Sequence, residues 1–370
     1  MLDDFGQRIR DIILSEMDLS RELSDEEICD LIGSVVSREA RDRPMTIKDR
    51  AELERTIFNS LRKLDVLQEL VDDRDVTEIM VNGPNDIFYE KAGRIQKFKG
   101  HFSSEEKLED VIQQIVGRHN RVVNQASPIV DTRLSDGSRV NIVLNPISIG
   151  GSAVSIRKFP EHPMSMERLV EIEALSPEVA RLLQILTQAK YNIFISGGTG
   201  SGKTTFLNAL SQYIPDDERI ITIEDSAELQ LLGAKNIVRL ETRNANTDGV
   251  TPITIRDLIR TALRMRPDRI IVGECRGAEA LDMLQAMNTG HDGSLSTGHA
   301  NSPHDIISRI ETMVLQGQDF PLNAIRQQIA SGIDIIVQLG RLRDKSRRVL
   351  EVSEVDGFMD GEIVLHTLYR

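Results

Sequence analysis

The chain has 370 residues, enough for two or three domains, and its 40% hydrophobic and 28% charged residues are typical of a globular protein. A net charge of −13 provides no overall basic field for binding a nucleic-acid duplex. The two cysteines, Cys29 and Cys275, form no disulfide or metal-binding pattern, and no stretch reaches the ~20 apolar residues that span a bilayer. We therefore expect neither a dedicated DNA-binding protein, nor a disulfide-rich domain, nor an integral membrane protein.

The N-terminal part of the chain divides into two predicted regions. Residues 1–65 carry apolar residues at helical spacing and predict a bundle of three helices. Residues 66–158 change to alternating patterns that are typical of strands, with a hairpin signal at Asp136-Gly137, and predict a small α+β domain. The segment 159–169 carries two prolines and is predicted to be a linker.

Residues 170–370 repeat the order strand, loop, helix until about residue 340 and then continue as short strands with tight turns. This order predicts an α/β domain with a mostly parallel sheet covered by helices.

The strongest motif lies in YNIFISGGTGSGKTTFLNAL, residues 191–210, where Gly197, Gly202, Lys203 and Thr204 match GxxxxGK[ST] between a predicted strand and a predicted helix. Backbone N–H groups of such a loop close around phosphate oxygens, and the helix N-terminus adds positive charge. We expect Lys203 to reach the β- and γ-phosphates of ATP and Thr204 to hold Mg²⁺. The alternative is a glycine-rich turn that binds nothing. The predicted nucleotide-binding residues of this loop are Gly197, Thr199, Gly200, Ser201, Gly202, Lys203, Thr204 and Thr205.

Two acidic residues follow later apolar strands. Glu224 ends the strand pattern of RIITIE, and Glu274 follows RIIVG. Ligands of open α/β sheets bind at the carboxyl ends of the strands, so we expect both to be catalytic. Glu274 is predicted either to polarise the attacking water or to help hold Mg²⁺ through a water, and each acid could instead be a solvated loop residue. Arg276 is predicted either to bind phosphate or to pair with Asp225.

Thr-Gly-His occurs twice, at 289–291 and 297–299. A histidine beside a phosphate loop can donate a hydrogen bond to a γ-phosphate oxygen and lose that bond after hydrolysis. His291 and His299 are therefore predicted to take part in catalysis as sensors of the nucleotide state. The alternative is a structural histidine whose ring is hydrogen-bonded to backbone carbonyls in a polar turn. This alternative has more weight for His291 than for His299.

These four segments, in this order, resemble the ATPases of type II secretion, type IV pili and type IV secretion. GGTGSGKTT is similar to their Walker A motif, ITIEDSAEL to their aspartate box, RIIVGECRGAEA to their Walker B motif and STGHANSP to their histidine box. The resemblance covers roughly residues 66–370. Within that superfamily the chain is most similar to the CpaF-type ATPase of tight-adherence (Flp) pili, through VTEIMVNGPNDIFYEKAGRIQ and VDTRLSDGSRVN.

The resemblance implies a RecA-like C-terminal domain, a homohexamer, and nucleotide bound between the N-terminal and C-terminal domains. It also implies that Arg133 and Arg157, and more weakly Arg139, approach the phosphates. The implied partner is a polytopic inner-membrane platform protein, with indirect contact to pilin subunits and no nucleic acid. The implied location is cytoplasmic, at the inner face of the cytoplasmic membrane.

Two other functions compete with an ATP-hydrolysing motor. A nucleic-acid translocase of a conjugation-type system would use a basic patch, for which RLRDKSRR (341–348) is a candidate. The simpler interpretation of that segment is an exposed hairpin whose positive charge is interrupted by Asp344. A small-molecule kinase would need an acceptor pocket and a basic lid, for which the sequence gives no clear signal.

Overall fold

The computed structural model describes residues 4–17, 21, 23–41, 43, 45–118, 122–159, 163–231, 233–243 and 251–370. They form two compact units, Met1–Glu161 and His162–Arg370. Within these ranges, no helix combines the length and the apolar composition needed to cross a membrane.

The first unit begins with the predicted bundle of three helices. They are α1 (Asp4–Glu16), α2 (Asp25–Glu39) and α3 (Ile47–Arg62). The bundle closes around buried aliphatic side chains at helical spacing: Ile9, Ile13, Ile28, Ile32, Val35, Val36 and Ile57. The start of α2 is fixed by a capping box, in which the Ser24 side chain accepts from the Glu27 backbone and the Glu27 side chain accepts from the Ser24 backbone.

The rest of this unit is a mixed α+β fold, as the alternating pattern predicts. A short helix α4 (Gln68–Asp72) precedes β1 (Val76–Asn82), β2 (Ile87–Lys91), β3 (Arg94–Lys97), α5 (Glu105–Gly117), β4 (Ile129–Arg133), β5 (Arg139–Val143) and β6 (Ala153–Arg157). The six strands pair in the order β3-β2-β1-β6-β5-β4, each antiparallel to its neighbours. Asp136-Gly137 forms the predicted tight turn between β4 and β5, with Gly137 at φ +90°.

The second unit is the predicted α/β domain. Its elements are α6 (Met166–Glu171), α7 (Pro177–Gln188), β7 (Ile193–Gly197), α8 (Lys203–Ser211), β8 (Arg219–Glu224), β9 (Asn236–Glu241), α9 (Ile255–Ala262), β10 (Arg269–Val272), α10 (Glu279–Met287), β11 (Leu295–Gly298), α11 (Pro303–Gly317), α12 (Leu322–Gly332), β12 (Ile335–Arg341), β13 (Arg347–Met359) and β14 (Glu362–Tyr369). The sheet has the order β14-β13-β12-β7-β11-β10-β8-β9; its strands are parallel from β12 to β9, and β13 and β14 are antiparallel.

The sheet of this unit is covered on both faces. Ile193 and Ile195 of β7 enter one buried cluster with α7 and α8, whereas Phe194 enters the other with α9 to α12. This alternation explains why the strand reads as a continuous apolar run in the sequence, because a central parallel strand is buried on both sides.

One predicted boundary differs from the structure. The sequence predicts a linker over 159–169, but α6 begins inside this segment at Met166, after the Ser165 cap. Met166 and Leu169 are buried in the core of the second unit. Their i, i+3 spacing is typical of a helix, but the prolines of the segment favour a linker in the sequence. Residues 160–162 of the predicted linker lie outside the described residues.

Candidate active site

The carboxyl ends of four parallel strands meet at one edge of the second sheet. Ser196 of β7 lies opposite Gly298 of β11, Ser296 lies opposite Val272 of β10, and Val272 lies opposite Ile223 of β8. The residues that follow these strands therefore gather at the same edge, where open α/β sheets bind their ligands. This edge brings together the phosphate loop and the segments that carry Glu224, Glu274 and His299.

The phosphate loop connects β7 to α8 and depends on glycine at three positions. A side chain at Gly197 would meet Ser201 Oγ at 2.5 Å, so the position has no room for one. Gly200 and Gly202 have φ of +71° and +92°, in the region that favours glycine. Ser201 Oγ is buried and has no hydrogen-bond partner among the described residues. The loop is thus built as a concave, backbone-lined cradle of the kind that surrounds phosphate oxygens.

Lys203 lies inside this cradle. Its ammonium donates to the carbonyls of Gly197 and Gly198, each at 3.1 Å, and lies 3.2 Å from Nδ1 of His299. The side chain is only 8% exposed. Burial lowers the pKa of Lys203, and the negative charge of Glu274 works against that shift. A lysine that is desolvated and bonded mainly to carbonyls is well placed to exchange them for phosphate oxygens.

His299 links Lys203 to Glu274. While Nδ1 faces the ammonium, Nε2 lies 2.8 Å from Oε1 of Glu274. The other carboxylate oxygen accepts from Arg276 at 2.8 Å, and Arg276 lies 3.7 Å from Asp225. The result is a row of neighbouring groups along the strand ends, with the predicted Arg276–Asp225 pair at the end farthest from Lys203. Oε1 of Glu274 is close to Nε2 of His299 but is not aligned with it as a hydrogen-bond acceptor.

The charges in this row fix its protonation state. Burial and the nearby Lys203 lower the pKa of His299, so the ring is neutral at neutral pH. Because Nδ1 faces an ammonium, which only donates, the ring proton is assigned to Nε2, the atom nearest Glu274. Burial alone would raise the pKa of Glu274, but the hydrogen bond and charge of Arg276, with the charge of Lys203, lower it. Glu274 is therefore an ionised carboxylate that can accept a proton or orient a water.

Glu224 occupies a different environment from Glu274. It is 3% exposed, and its Oε1 accepts from the backbone N–H groups of Glu228 and Leu229, both at 2.9 Å. Burial raises its pKa to about 7, against the effect of those two bonds. Its Cγ lies 2.9 Å from where a side chain at Gly273 would begin. Glu224 thus caps the turn after β8 and packs beneath the Glu274 segment, while its Oε2 has no partner among the described residues.

The predicted hydroxyl residues lie on the loop and the first turn of α8. Thr199 and Thr205 are exposed, and Thr204 is half-buried next to Lys203. The predicted ligand set for a metal ion, Thr204 and Glu274, consists of oxygen donors, which are the ligands that Mg²⁺ prefers.

His291 does not join this cluster. It precedes Leu295, the first residue of β11, and so lies at the amino end of that strand, whereas the phosphate loop follows the carboxyl end of β7. Its Nδ1 lies 3.3 Å from the carbonyl of Ala286, and its own carbonyl accepts from Ser294. His291 therefore has the contacts of a structural histidine in a polar turn, which was the alternative to a sensor of the nucleotide state. The structure gives no support for a role of His291 at the nucleotide.

The three arginines implied by the resemblance lie in the first unit. Arg133 is opposite Arg139, and Arg139 is opposite Arg157, so adjacent strands present three guanidinium groups in one row. Arg139 lies 3.8 Å from Asp131, and Arg157 lies 4.0 Å from Glu78. A row of like charges on neighbouring strands is unfavourable by itself and attracts anions.

One contact of the phosphate loop is not predictable from the sequence. Arg347, in the basic segment that the sequence presented as an exposed hairpin, donates from Nε to the carbonyl of Gly200 at 2.9 Å. The hairpin itself is confirmed, since Arg341 and Arg347 form its facing pair. The charge of RLRDKSRR was the available signal, but only the tertiary structure shows which loop the segment contacts.

A separate cavity of about 620 Å³ lies within the first unit, between helices and sheet, and contains none of the predicted site residues. Arg10, Asp65, Tyr89 and Lys99 are among the residues that line it.

Comparison with known proteins shows the family of this chain. Residues 60–366 match the family described as "Type II/IV secretion system protein". The chain belongs to the type II/IV secretion system protein family. Together with its complete phosphate loop and ionised Glu274, this makes the secretion-family chain an ATPase.

Several relatives of this secretion-family protein align over most of its length. A putative conjugal transfer protein of Mycobacterium tuberculosis is 32% identical over 322 residues, which cover 84% of this chain and 91% of the relative. The type IV secretion system protein PtlH of Bordetella pertussis is 32% identical over 320 residues, 80% of this chain and 94% of that protein. The pilus retraction motor PilT, solved with bound ADP, has the same fold with a TM-score of 0.59 at 23% identity, covering 83% of this chain and 82% of its own.

Proposed function

We propose that this ATPase is the motor of a secretion or pilus system and that it converts ATP hydrolysis into work on a membrane-bound machine. The observation that carries the proposal is the row from Lys203 through His299 to Glu274 at the phosphate loop. It connects the group that binds phosphate to the group that orients water. Membership of the secretion family supplies the kind of machine on which the motor acts.

Each residue of the row has a distinct task in this proposal. Lys203 exchanges its carbonyl partners for the β- and γ-phosphates and compensates their charge. Glu274, ionised and anchored by Arg276, orients the attacking water and accepts its proton. His299 contacts both Lys203 and Glu274, so any movement of the lysine on phosphate binding or release changes its contacts. This makes His299 the sensor of whether the γ-phosphate is present.

A magnesium ion fits the oxygen donors at this edge of the sheet. Thr204 is the second residue of α8, next to the buried Lys203, and Glu274 supplies a carboxylate with a lowered pKa. Magnesium, when bound, neutralises negative charge on the β- and γ-phosphates. The nearby Glu224 has a pKa of about 7 and is bonded to two backbone amides, so it suits a positioning role beneath Glu274 better than a metal-ligating role.

The row of Arg133, Arg139 and Arg157 is proposed to stabilise phosphate charge. Its support is the cross-strand register that presents three guanidinium groups together, and arginine can bind phosphate oxygens with two parallel hydrogen bonds. The resemblance to secretion ATPases implies the same role.

The assembly and location are also proposed from the resemblance. We propose a homohexamer that binds a polytopic inner-membrane platform protein from the cytoplasmic side and contacts pilin subunits only indirectly. Within the superfamily, the strand segments VTEIMVNG and VDTRLSDG favour the tight-adherence (Flp) pilus branch. A nucleic-acid translocase is the second candidate, because relatives carry the name conjugal transfer protein. The net charge of −13 argues against it.

Two variants separate nucleotide binding from hydrolysis. Lys203→Ala should weaken ADP binding, whereas Glu274→Gln should keep ADP affinity within about threefold and lower kcat by 100-fold or more, the usual contribution of a positioned general base. Normal turnover by Glu274→Gln would refute its role.

The same Glu274→Gln variant tests the partner. The variant is held in the ATP-bound state, cross-linked in its native cell and purified from solubilised membranes. We expect a polytopic membrane protein and pilin-like subunits to copurify with it. Recovery of nucleic acid in place of these proteins would favour the translocase.

A further inference from the structure

The basic hairpin at residues 341–347 lies directly beside the phosphate loop. Strand β12 runs parallel to β7 with Leu339 opposite Gly197, and it continues past the end of β7 to Arg341. The chain then turns and returns as β13, whose first residue, Arg347, lies opposite Arg341. Directly opposite residues share one face of the sheet, so both guanidinium groups project from the same side of the hairpin.

The turn of the hairpin is held by its own residues. The N–H of Leu342 donates to the carbonyl of Ser346 at 2.8 Å, and one oxygen of Asp344 accepts from both the backbone and the hydroxyl of Ser346, at 2.9 and 2.6 Å. The carboxylate that interrupts the basic segment in the sequence is therefore hydrogen-bonded within the turn. It forms no ion pair with Arg341 or Arg347 among the described residues.

Arg347 contacts the phosphate loop at Gly200 and Gly202. Its Nε donates to the Gly200 carbonyl at 2.9 Å, and its Cδ lies 3.3 Å from where a side chain at Gly202 would begin. Nη1 of Arg341 lies 3.9 Å from the corresponding position at Gly200. Within the described part of the chain no carboxylate pairs with either arginine, although the next residue, Arg348, pairs with Glu173 at 3.3 Å.

The contact with Gly200 fixes the direction of a neighbouring amide. In a trans peptide the C=O of Gly200 and the N–H of Ser201 point in opposite directions. Because the carbonyl faces Arg347, the N–H points the opposite way and donates to the carbonyl of Gly198 at 3.3 Å, the same carbonyl that accepts from Lys203 inside the loop. The inside of the loop is where backbone N–H groups surround phosphate.

We propose that Arg347 is a positioning residue for nucleotide binding: it locks the Gly200–Ser201 peptide with its N–H turned toward the phosphates. Arg341 opposite it adds positive charge at the same loop. This inference rests on the proposed function, since it assumes that the loop binds a nucleotide. It assigns Arg341 and Arg347 of the basic segment to the nucleotide site rather than to nucleic acid.

The test compares arginines of one hairpin in the full-length protein. Kd is measured for ADP and for adenosine by competition against a fluorescent ADP analogue, and kcat and KM are measured for ATP hydrolysis. The variants are Arg347→Ala and Arg347→Lys, with Arg343→Ala and Arg348→Ala as controls that remove the same charge from the same hairpin. Urea unfolding of each variant shows that the fold is retained.

We expect Arg347→Ala to weaken ADP binding and raise KM for ATP about tenfold, a factor that corresponds to about 1.4 kcal/mol. Adenosine affinity and kcat should stay within about twofold, because the locked amide faces phosphate and takes no part in the chemical step. Arg347→Lys should recover part of the affinity, since an ammonium can also donate to the Gly200 carbonyl. The two control variants should bind ADP like the wild type.

Three results would overturn the inference. Unchanged ADP affinity in Arg347→Ala would show that the contact with Gly200 is incidental. Equal losses in Arg343→Ala and Arg348→Ala would show that only net charge matters. An equal loss of adenosine affinity would show a general structural defect. Failure of the wild type to bind ADP, or equal binding by Lys203→Ala, would instead overturn the proposed function itself.

Discussion

Glu224 offers a prediction whose size follows from the structure. Its carboxylate is 3% exposed, and burial raises its pKa from 4.5 to about 7. Glu224→Gln keeps an oxygen that can accept from the Glu228 and Leu229 amides but removes the ionisation. The folded wild type holds a proton on this group up to about pH 7, whereas the unfolded chain releases it near pH 4.5. Raising the pH therefore destabilises the folded wild type relative to the variant.

The pH window and magnitude can be worked out from these values. The stability linked to Glu224 is fully present below pH 4.5 and is lost as the pH rises through about 7. Integrating the linkage relation between pH 5 and pH 8 gives a loss of about 2.5 kcal/mol for the wild type. The variant has no such term, so the difference in unfolding free energy between the two proteins should change by about this amount over the window.

Urea titration followed by pulse proteolysis measures this difference at pH 5, 6, 7 and 8. Fragments of the second unit are quantified by mass, because a two-unit protein need not unfold in one step. Glu178→Gln serves as control: Glu178 is an exposed residue at the start of α7, where hydrogen bonds from its own backbone and Ser176 lower its pKa, so it should add no pH dependence above pH 5. A difference between wild type and Glu224→Gln that stays constant from pH 5 to 8 would refute the reasoning, because it would mean that Glu224 is ionised throughout.

Three further predictions test the site and the core of the second unit. His299→Ala should lower kcat for ATP hydrolysis about 100-fold, as expected for loss of a positioned donor, whereas His291→Ala should leave it within twofold; equal effects would refute the distinction between the two Thr-Gly-His segments. Gly273→Ala should reduce the free energy of unfolding by about 1–3 kcal/mol, because the added Cβ would lie 2.9 Å from Cγ of the buried Glu224. Unchanged stability would show that the backbone around residue 273 can move to accommodate the methyl group. Arg269→Met should destabilise by about 3 kcal/mol, since Arg269 is fully buried and its removal leaves the buried Glu218, bonded to it at 2.6 Å, with the more distant cation of Lys190 at 3.7 Å; a loss under 1 kcal/mol in urea would contradict this.

The candidate site was only partly predictable from the sequence. Some of its residues belong to motifs of neighbouring residues, whereas others meet only because distant segments become neighbours in the fold. The phosphate loop was predictable in detail, since glycine spacing, a preceding apolar strand and a following helix all lie within 20 residues. Glu274 and His299 were predictable as residues that follow strands. The 2.8 Å contact between Oε1 of Glu274 and Nε2 of His299 was not, because it depends on β10 and β11 being neighbours in the sheet. His291 was misplaced because Thr-Gly-His is the same tripeptide at both ends of β11, and only the strand direction separates them.

The sequence by itself determined the helical bundle, the α+β and α/β character of the two units, and the chemistry of the phosphate loop. Periodicity and motif spacing report these features because they arise from residues close together in the chain. The tertiary structure alone decided that Glu224 is buried and protonates near neutral pH, that α6 belongs to the second core, and that Arg347 binds the Gly200 carbonyl 147 residues away. Burial and cross-strand register depend on which distant segments become neighbours, and no local pattern carries that information.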